Sequence, residues 1–149
     1  MPIFTEHGIV LHVNQMVDLI SIRDDTAFSG GFHATDEAIK AIVITGTGNK
    51  AFCAGQDMVE EKDRDRALGE KVSAYIAIDR FSDTPMPLIA AVNGYCFGGG
   101  AALACACDIR LASENATFRF PGAEYGLVVG AAALPRIVGV AKAKEFILT

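Results

Sequence analysis

No histidine occurs in this chain after His33, and the three present, His7, His12 and His33, are not spaced as H-x-x-x-H or H-E-x-x-H. A metal centre built on paired helical histidines is therefore not expected. The cysteines, Cys53, Cys96, Cys105 and Cys107, include no C-x-x-C pair, so neither a zinc knuckle nor a thioredoxin-type redox pair is expected. Set among small apolar residues, they read as buried, reduced thiols of a cytoplasmic protein. Clustered cations are also lacking: 13 Lys and Arg lie scattered against 18 Asp and Glu, for a net charge of −5. Phosphate-backbone binding needs such clusters, which excludes nucleic acid as a partner. An anionic small molecule stays possible, because backbone N–H groups at a helix start can receive it without side-chain charge. The opening MPIFTEHGIV has no basic segment followed by an apolar one, so no signal peptide is expected. From Thr84 to Cys107 no charged residue occurs, a length that could cross a bilayer. Pro85, Pro87, Asn93, Gly94 and Gly98 to Gly100 interrupt that stretch, and its apolar side chains are mostly small. A buried strand, a glycine turn and a buried helix fit it better than a membrane span.

What is present describes a globular chain. Hydrophobic residues make up 51% and charged residues 21% of 149 residues, which suits one domain, 1–149, with a sizeable core. Ile9–Val13 and Val17–Ile22 are β-favouring runs that a turn at Asn14-Gln15 could join as a hairpin. Residues 23–36 carry turn chemistry without a period. Ala41–Thr45 (AIVIT) and Leu88–Val92 (LIAAV) read as buried strands, and Asp108–Ala112 (DIRLA) as a third core strand. Met58–Arg80 carries a helical stripe of Leu68, Val72, Tyr75 and Ile76, ended by Pro85 and Pro87. Gly100–Cys107 predicts a helix of small residues. Ser113–Gly126 reads as a loop, and Ala131–Ile137 and Ala141–Leu148 as helical. Strands alternating with helices predict an α/β fold with mostly parallel strands.

Two loops share one design, a strand, a glycine-bearing turn and a helix start. They are Ala51-Phe52-Cys53-Ala54-Gly55-Gln56-Asp57 after AIVIT and Asn93-Gly94-Tyr95-Cys96-Phe97-Gly98-Gly99-Gly100 after LIAAV. A helix start leaves N–H groups without intrahelical acceptors at the positive end of the helix dipole. Glycine lets a ligand approach that backbone closely. Two such loops side by side can form an oxyanion hole, in which one donor is commonly worth about 3 kcal/mol.

The stretch AIVITGTGNKAFCAGQDM, followed by PLIAAVNGYCFGGGAALACACDIRLASENATFRFP, strongly resembles the crotonase (enoyl-CoA hydratase/isomerase) family, and the likeness runs from Ala41 to Leu148. The resemblance implies the ClpP/crotonase superhelix of ββα units, acting on a coenzyme A thioester as substrate with no separate cofactor. It implies an oxyanion hole from the backbone N–H groups of Gln56 and Gly99, with CoA lying along Ala54, Gln56, Asp57 and Met58. It further implies a lyase or isomerase of fatty acid metabolism, cytoplasmic and assembled as a homo-oligomer, a trimer or hexamer in the family.

The sequence departs from the family where the reaction is chosen. Hydratases carry a glutamate two residues after the G-G-G triplet and another after the proline of A-x-F-x-x-P-E; here these places hold Ala102 and Gly122. Hydration needs one group to activate water and one to protonate the α-carbon. Glu124 is the nearest acid to the second place and serves as the candidate acid/base, beside its reading as a surface-loop glutamate. Asp57 and Asp108 fit structural loop bonding, and Arg136 either a structural or a phosphate-facing role. The family's N-R-P and N-A-L signatures are replaced by RDDTAFSGGFHATDEAIK, and the sequence ends at Phe146-Ile147-Leu148-Thr149, where the family continues into further helices. The expectation is a domain truncated before the C-terminal helical region.

Three other readings compete with this one. Gly46-Thr47-Gly48-Asn49-Lys50-Ala51 fits a dinucleotide-binding G-x-G-x-x-A, but that motif should open a helix at once and be followed by a strand ending in Asp or Glu. A Clp-type serine protease needs a serine at the glycine elbow and a later histidine, where this chain has Ala101, Ala102 and none. The remaining alternative is an inactive acyl-CoA binder that keeps the oxyanion loops without an acid or base.

If the family's later helices are needed to cover this core, the 149-residue chain alone should expose more apolar surface than monomers usually show. It is expected to associate or bind a hydrophobic dye in sedimentation and fluorescence experiments. A compact, dye-negative monomer with a cooperative melt would overturn that expectation.

Overall fold

A computed structural model describes residues 3–5, 8–13, 40–55, 86–126 and 129–149. Among these, β1 (Ile3–Thr5) pairs antiparallel with β2 (Gly8–Val13), and β2 lies parallel to β3 (Ala41–Gly46). β3 is followed in the sheet by β5 (Leu88–Val92) and then β7 (Ile109–Ala112), all parallel, giving the order β1-β2-β3-β5-β7. The alternation within AIVITG and LIAAV is what places the core. Ile42 and Ile44 are buried on β3, as are Leu88, Ala90 and Val92 on β5. The register sets Ile42 beside Leu88 and Ile44 beside Ala90, so one face of the sheet is continuously apolar.

A second sheet of three parallel strands stands beyond the first: β4 (Ala51–Cys53), β6 (Tyr95–Phe97) and β8 (Thr117–Arg119), in that order. The chain therefore alternates between sheets, β3 to β4, β5 to β6 and β7 to β8. After β6 comes α1 (Gly99–Ala106), and after β8 a 3-10 turn at Pro121–Tyr125. Helices α2 (Leu134–Val138) and α3 (Val140–Leu148) close the described part. This is the expected ββα superhelix. Its core gathers Phe52, Cys53, Cys96, Leu103 and Phe120 around β3 and β5, with α3 adding Ala143 and the partly buried Phe146 and Ile147. The small residues of α1 let it lie close on this core, with Gly100 to Ala104 all buried.

Several expectations change. The described N-terminal antiparallel pair is Ile3–Thr5 with Gly8–Val13; Val17–Ile22, the expected hairpin partner of Ile9–Val13, and the Met58–Arg80 helix lie outside the described residues. Ala51–Cys53, Tyr95–Phe97 and Thr117–Arg119, expected as loop or turn, are strands. Three residues are too few to show a period of two, so only their partners reveal them. DIRLA is not a core strand. Its residues Ile109 to Ala112 are all exposed, because β7 is the edge of its sheet, paired on one side only among the described residues.

The C-D-x-R segment explains how α1 is fastened to that edge. The Leu88 N–H donates to Asp108 Oδ2 at 2.8 Å and the Asp108 N–H to the Leu88 carbonyl at 2.9 Å. The Arg110 guanidinium donates to the carbonyls of Ala104 and Asp108, each at 3.2 Å, and to that of Cys107. It caps carbonyls that the helix end leaves without donor partners. Asp108 thus serves structural bonding, as expected.

Helix α1 meets β4 through backbone contact. A Cβ placed on Gly100 would stand 2.2 Å from the Cys53 carbonyl oxygen and 2.8 Å from the Cys53 Cβ. Gly100→Ala is therefore expected to lower stability by about 3 kcal/mol, the upper end of ordinary overpacking, in urea denaturation. A loss below about 1 kcal/mol would mean that the loop can move away from the helix.

Candidate active site

The first turn of α1 is chemically open. Its N-cap is Gly98, no side chain caps it, and no acidic residue stands in the first turn. The first helical bond runs from the Ala102 N–H to the Gly98 carbonyl at 3.0 Å, so the N–H groups of Gly99, Gly100 and Ala101 precede it. Donors in that position carry the positive end of the helix dipole. Gly98 reaches this geometry at φ 53°, and its own N–H donates to the Arg119 carbonyl at 2.9 Å, tying the turn to β8.

The first loop comes up against this turn. At Gly55 the backbone has φ +104°, a conformation glycine adopts without strain. A Cβ there would lie 3.2 Å from the Phe97 carbonyl oxygen and 3.6 Å from the Gly99 nitrogen. Gly55 and Gly99 are thus neighbours, and the parallel pairing of Ala51 with Tyr95 and Cys53 with Cys96 brings them there. Ala54 is exposed beside Gly55. Gln56, Asp57 and Met58 lie outside the described residues.

A third segment borders the same turn. Pro121 Cγ is the nearest atom to a Cβ built on Gly98, at 4.0 Å, and Gly122 next to it is buried. Ala102 is buried in the first turns of α1. Glu124 is exposed on the 3-10 turn, where its carboxylate pairs with the Arg119 guanidinium. Both side chains of that pair are about half exposed, 53% and 52%, so the pair contributes little to stability. Arg136 lies on the last turn of α2. Among the described residues no three His, Cys, Asp or Glu side chains form a group able to hold a metal ion, and no helix is long and apolar enough to cross a membrane.

Residues 28–149 match the family described as Enoyl-CoA hydratase/isomerase. The chain belongs to the enoyl-CoA hydratase/isomerase family. It is 35% identical to the short-chain-enoyl-CoA hydratase of Clostridium acetobutylicum, over 94% of this chain and 57% of that protein. It is 36% identical to the crotonyl-CoA hydratase of Syntrophomonas wolfei, over the same shares. In three dimensions it resembles an enoyl-CoA hydratase from Bacillus anthracis, with a TM-score of 0.76, 28% identity, and coverage of 100% of this chain and 62% of the other. Pseudomonas aeruginosa DspI gives a TM-score of 0.80 at 33% identity, covering 99% of this chain and 60% of DspI. The chain spans about half the length of the curated relatives it matches.

Within this enoyl-CoA hydratase/isomerase chain the cysteines lie beneath the loops. Cys53, Cys96 and Cys107 are buried, Cys105 is half-buried, and none is in a disulfide. Burial pushes the thiols of Cys96 and Cys105 upward and that of Cys107 from 9.0 to about 12, the last despite the Arg110 charge nearby. The protonated Cys107 thiol also donates to the Leu103 carbonyl at 3.4 Å. Such thiols are poor nucleophiles. Their folded-state pKa values lie above the unfolded ones, so the folded chain holds these protons more tightly. The resulting stability is complete below about pH 9 and falls as pH rises toward 12. Thermal melts across that range are expected to show a falling midpoint, with a shallower fall in Cys107→Ala. An equal slope in both would remove Cys107 as a cause.

Proposed function

We propose that this chain binds an acyl-CoA thioester and polarises its carbonyl between the backbone N–H groups of Gln56 and Gly99. The observation that carries the reading is the approach of Gly55, the residue before Gln56, to the Gly99 nitrogen at the uncapped mouth of α1. A carbonyl oxygen held there gains most as negative charge develops on it, because fixed dipoles need no reorganisation. That is enolate chemistry, suited to hydration or double-bond shift at a thioester. CoA lies along Ala54, Gln56, Asp57 and Met58, with no further cofactor. The protein works in the cytoplasm as a homo-oligomer.

A second reading is favoured by two residues. Ala102 and Gly122 are both buried where hydratases of this family place their two glutamates, and neither can carry a proton. Glu124 is the remaining acid on that segment, and it lies in solvent, paired with Arg119. Binding and polarisation without fast turnover follow from this.

Isotope-edited infrared spectroscopy tests the proposal. The carbonyl band of bound 1-13C-butyryl-CoA should move to lower frequency than in water, while crotonyl-CoA is hydrated slowly or not at all. The double variant Ala102→Glu, Gly122→Glu should gain hydration by at least about tenfold, the low end of what a placed acid or base supplies. An unshifted carbonyl would overturn the oxyanion reading. Brisk hydration by the unchanged protein would show that another acid–base pair does the work.

A further inference from the structure

β3 runs out at Gly46 and β5 at Val92, and Asn93 is the first residue past the second strand. The Asn93 carboxamide spans the gap between them. Its Oδ1 accepts the Gly46 N–H at 3.1 Å, and its Nδ2 donates to the Gly46 carbonyl at 3.0 Å and the Gly48 carbonyl at 2.8 Å. One side chain thus makes three bonds to the root of the other loop, using an acceptor and two donors that only a short carboxamide offers together. Just beyond, the Tyr95 N–H donates to the Lys50 carbonyl at 3.0 Å. A Cβ on Gly94 would stand 2.2 Å from the same oxygen, so the two backbones touch. From this contact β4 and β6 run side by side to Gly55 and to Gly98 and Gly99.

We infer that Asn93 is a positioning residue that fixes the first loop against the second at their common root, so that the backbone donors at their tips face one point. The inference rests on the oxyanion reading above. The lever is short and stiff. A three-residue strand is about 10 Å long, so a small rotation at the clamp displaces the tip by a comparable angle. A misplacement of about 1 Å can cost roughly 100-fold in a reaction that depends on geometry. Another side-chain bond at this level, from Thr45 Oγ1 to the Ala91 carbonyl at 2.9 Å, joins the same two strands but holds no residue past their ends. Thr45 supplies the control for a merely structural role.

The experiment compares the full chain with Asn93→Ala, Asn93→Asp and Thr45→Val. Asn93→Asp keeps the shape and replaces the donor by an oxygen that repels the Gly46 and Gly48 carbonyls. Two readouts are taken: the carbonyl band of bound 1-13C-butyryl-CoA, and the Gly99 amide resonance by 15N NMR without ligand. Both Asn93 variants are expected to lose at least half of the wild-type band shift and to move the Gly99 resonance. Their affinity for CoA itself should stay within about threefold, since the clamp acts on orientation rather than uniform binding. Thr45→Val should keep both signals. The inference is overturned if a folded Asn93→Asp keeps the full shift and an unmoved Gly99 resonance, or if Thr45→Val loses as much. It is equally overturned if both Asn93 variants unfold while Thr45→Val folds, for then Asn93 serves the fold as a whole. If the wild-type band is itself unshifted, the oxyanion reading fails on its own, and the Gly99 resonance alone decides whether Asn93 sets the loop.

Discussion

Backbone laid directly against backbone, between the Ala51–Gly55 segment and the Gly94–Gly100 segment, is the contact on which the rest of the structure depends. A side chain at Gly94 would meet the Lys50 carbonyl and one at Gly100 the Cys53 carbonyl. With the side chains absent, two three-residue strands can pair in parallel, although a pair that short has little stability alone. Its support comes from both ends. Asn93 holds the roots, and the Gly98 bond to β8 holds the tip. The large sheet beneath, with Ile44, Leu88 and Val92 fully packed, supplies the rigid base from which the loops project.

The proposed chemistry depends on that contact. A site made of main-chain N–H groups at a helix start is indifferent to the acyl group and sensitive to the charge on one oxygen. In the proposed reading the scaffold provides polarisation, and the neighbouring side chains must provide proton transfer. In this chain those neighbours are Ala102 and Gly122. In that reading, family membership and reaction type rest on different residues.

Exposed apolar surface is the second constraint. Ile109, Leu111, Tyr125, Val140 and Leu148 are large, apolar and at least 48% exposed. Ile109 and Leu111 lie on the edge strand β7, where one side of the ladder is unpaired among the described residues and edges invite pairing with other chains. The charge-poor stretch from Thr84 to Cys107, by contrast, is explained internally. It supplies β5, β6 and α1, whose Leu88, Ala90, Val92, Cys96 and Gly100 to Ala104 are buried in the core.

The sequence by itself determined the two central strands and the helix of small residues, because continuous β-branched runs and a charge-free glycine–alanine segment have few other solutions. It also determined the family, through motifs whose glycines mark close backbone approach, and it pointed to Gly99 at a helix mouth. Tertiary structure alone decided three things. Ala51–Cys53, Tyr95–Phe97 and Thr117–Arg119 are strands only because each finds the next as a partner; three residues carry no period of their own. DIRLA looked like core text, yet its place at the sheet edge left it exposed, since burial depends on what lies beside a strand and not on its composition. In sequence Asn93 reads only as the first residue of a glycine-bearing turn. Its bonds to Gly46 and Gly48 cross 47 and 45 residues, a separation over which local sequence holds no record of which carbonyl a side chain will meet.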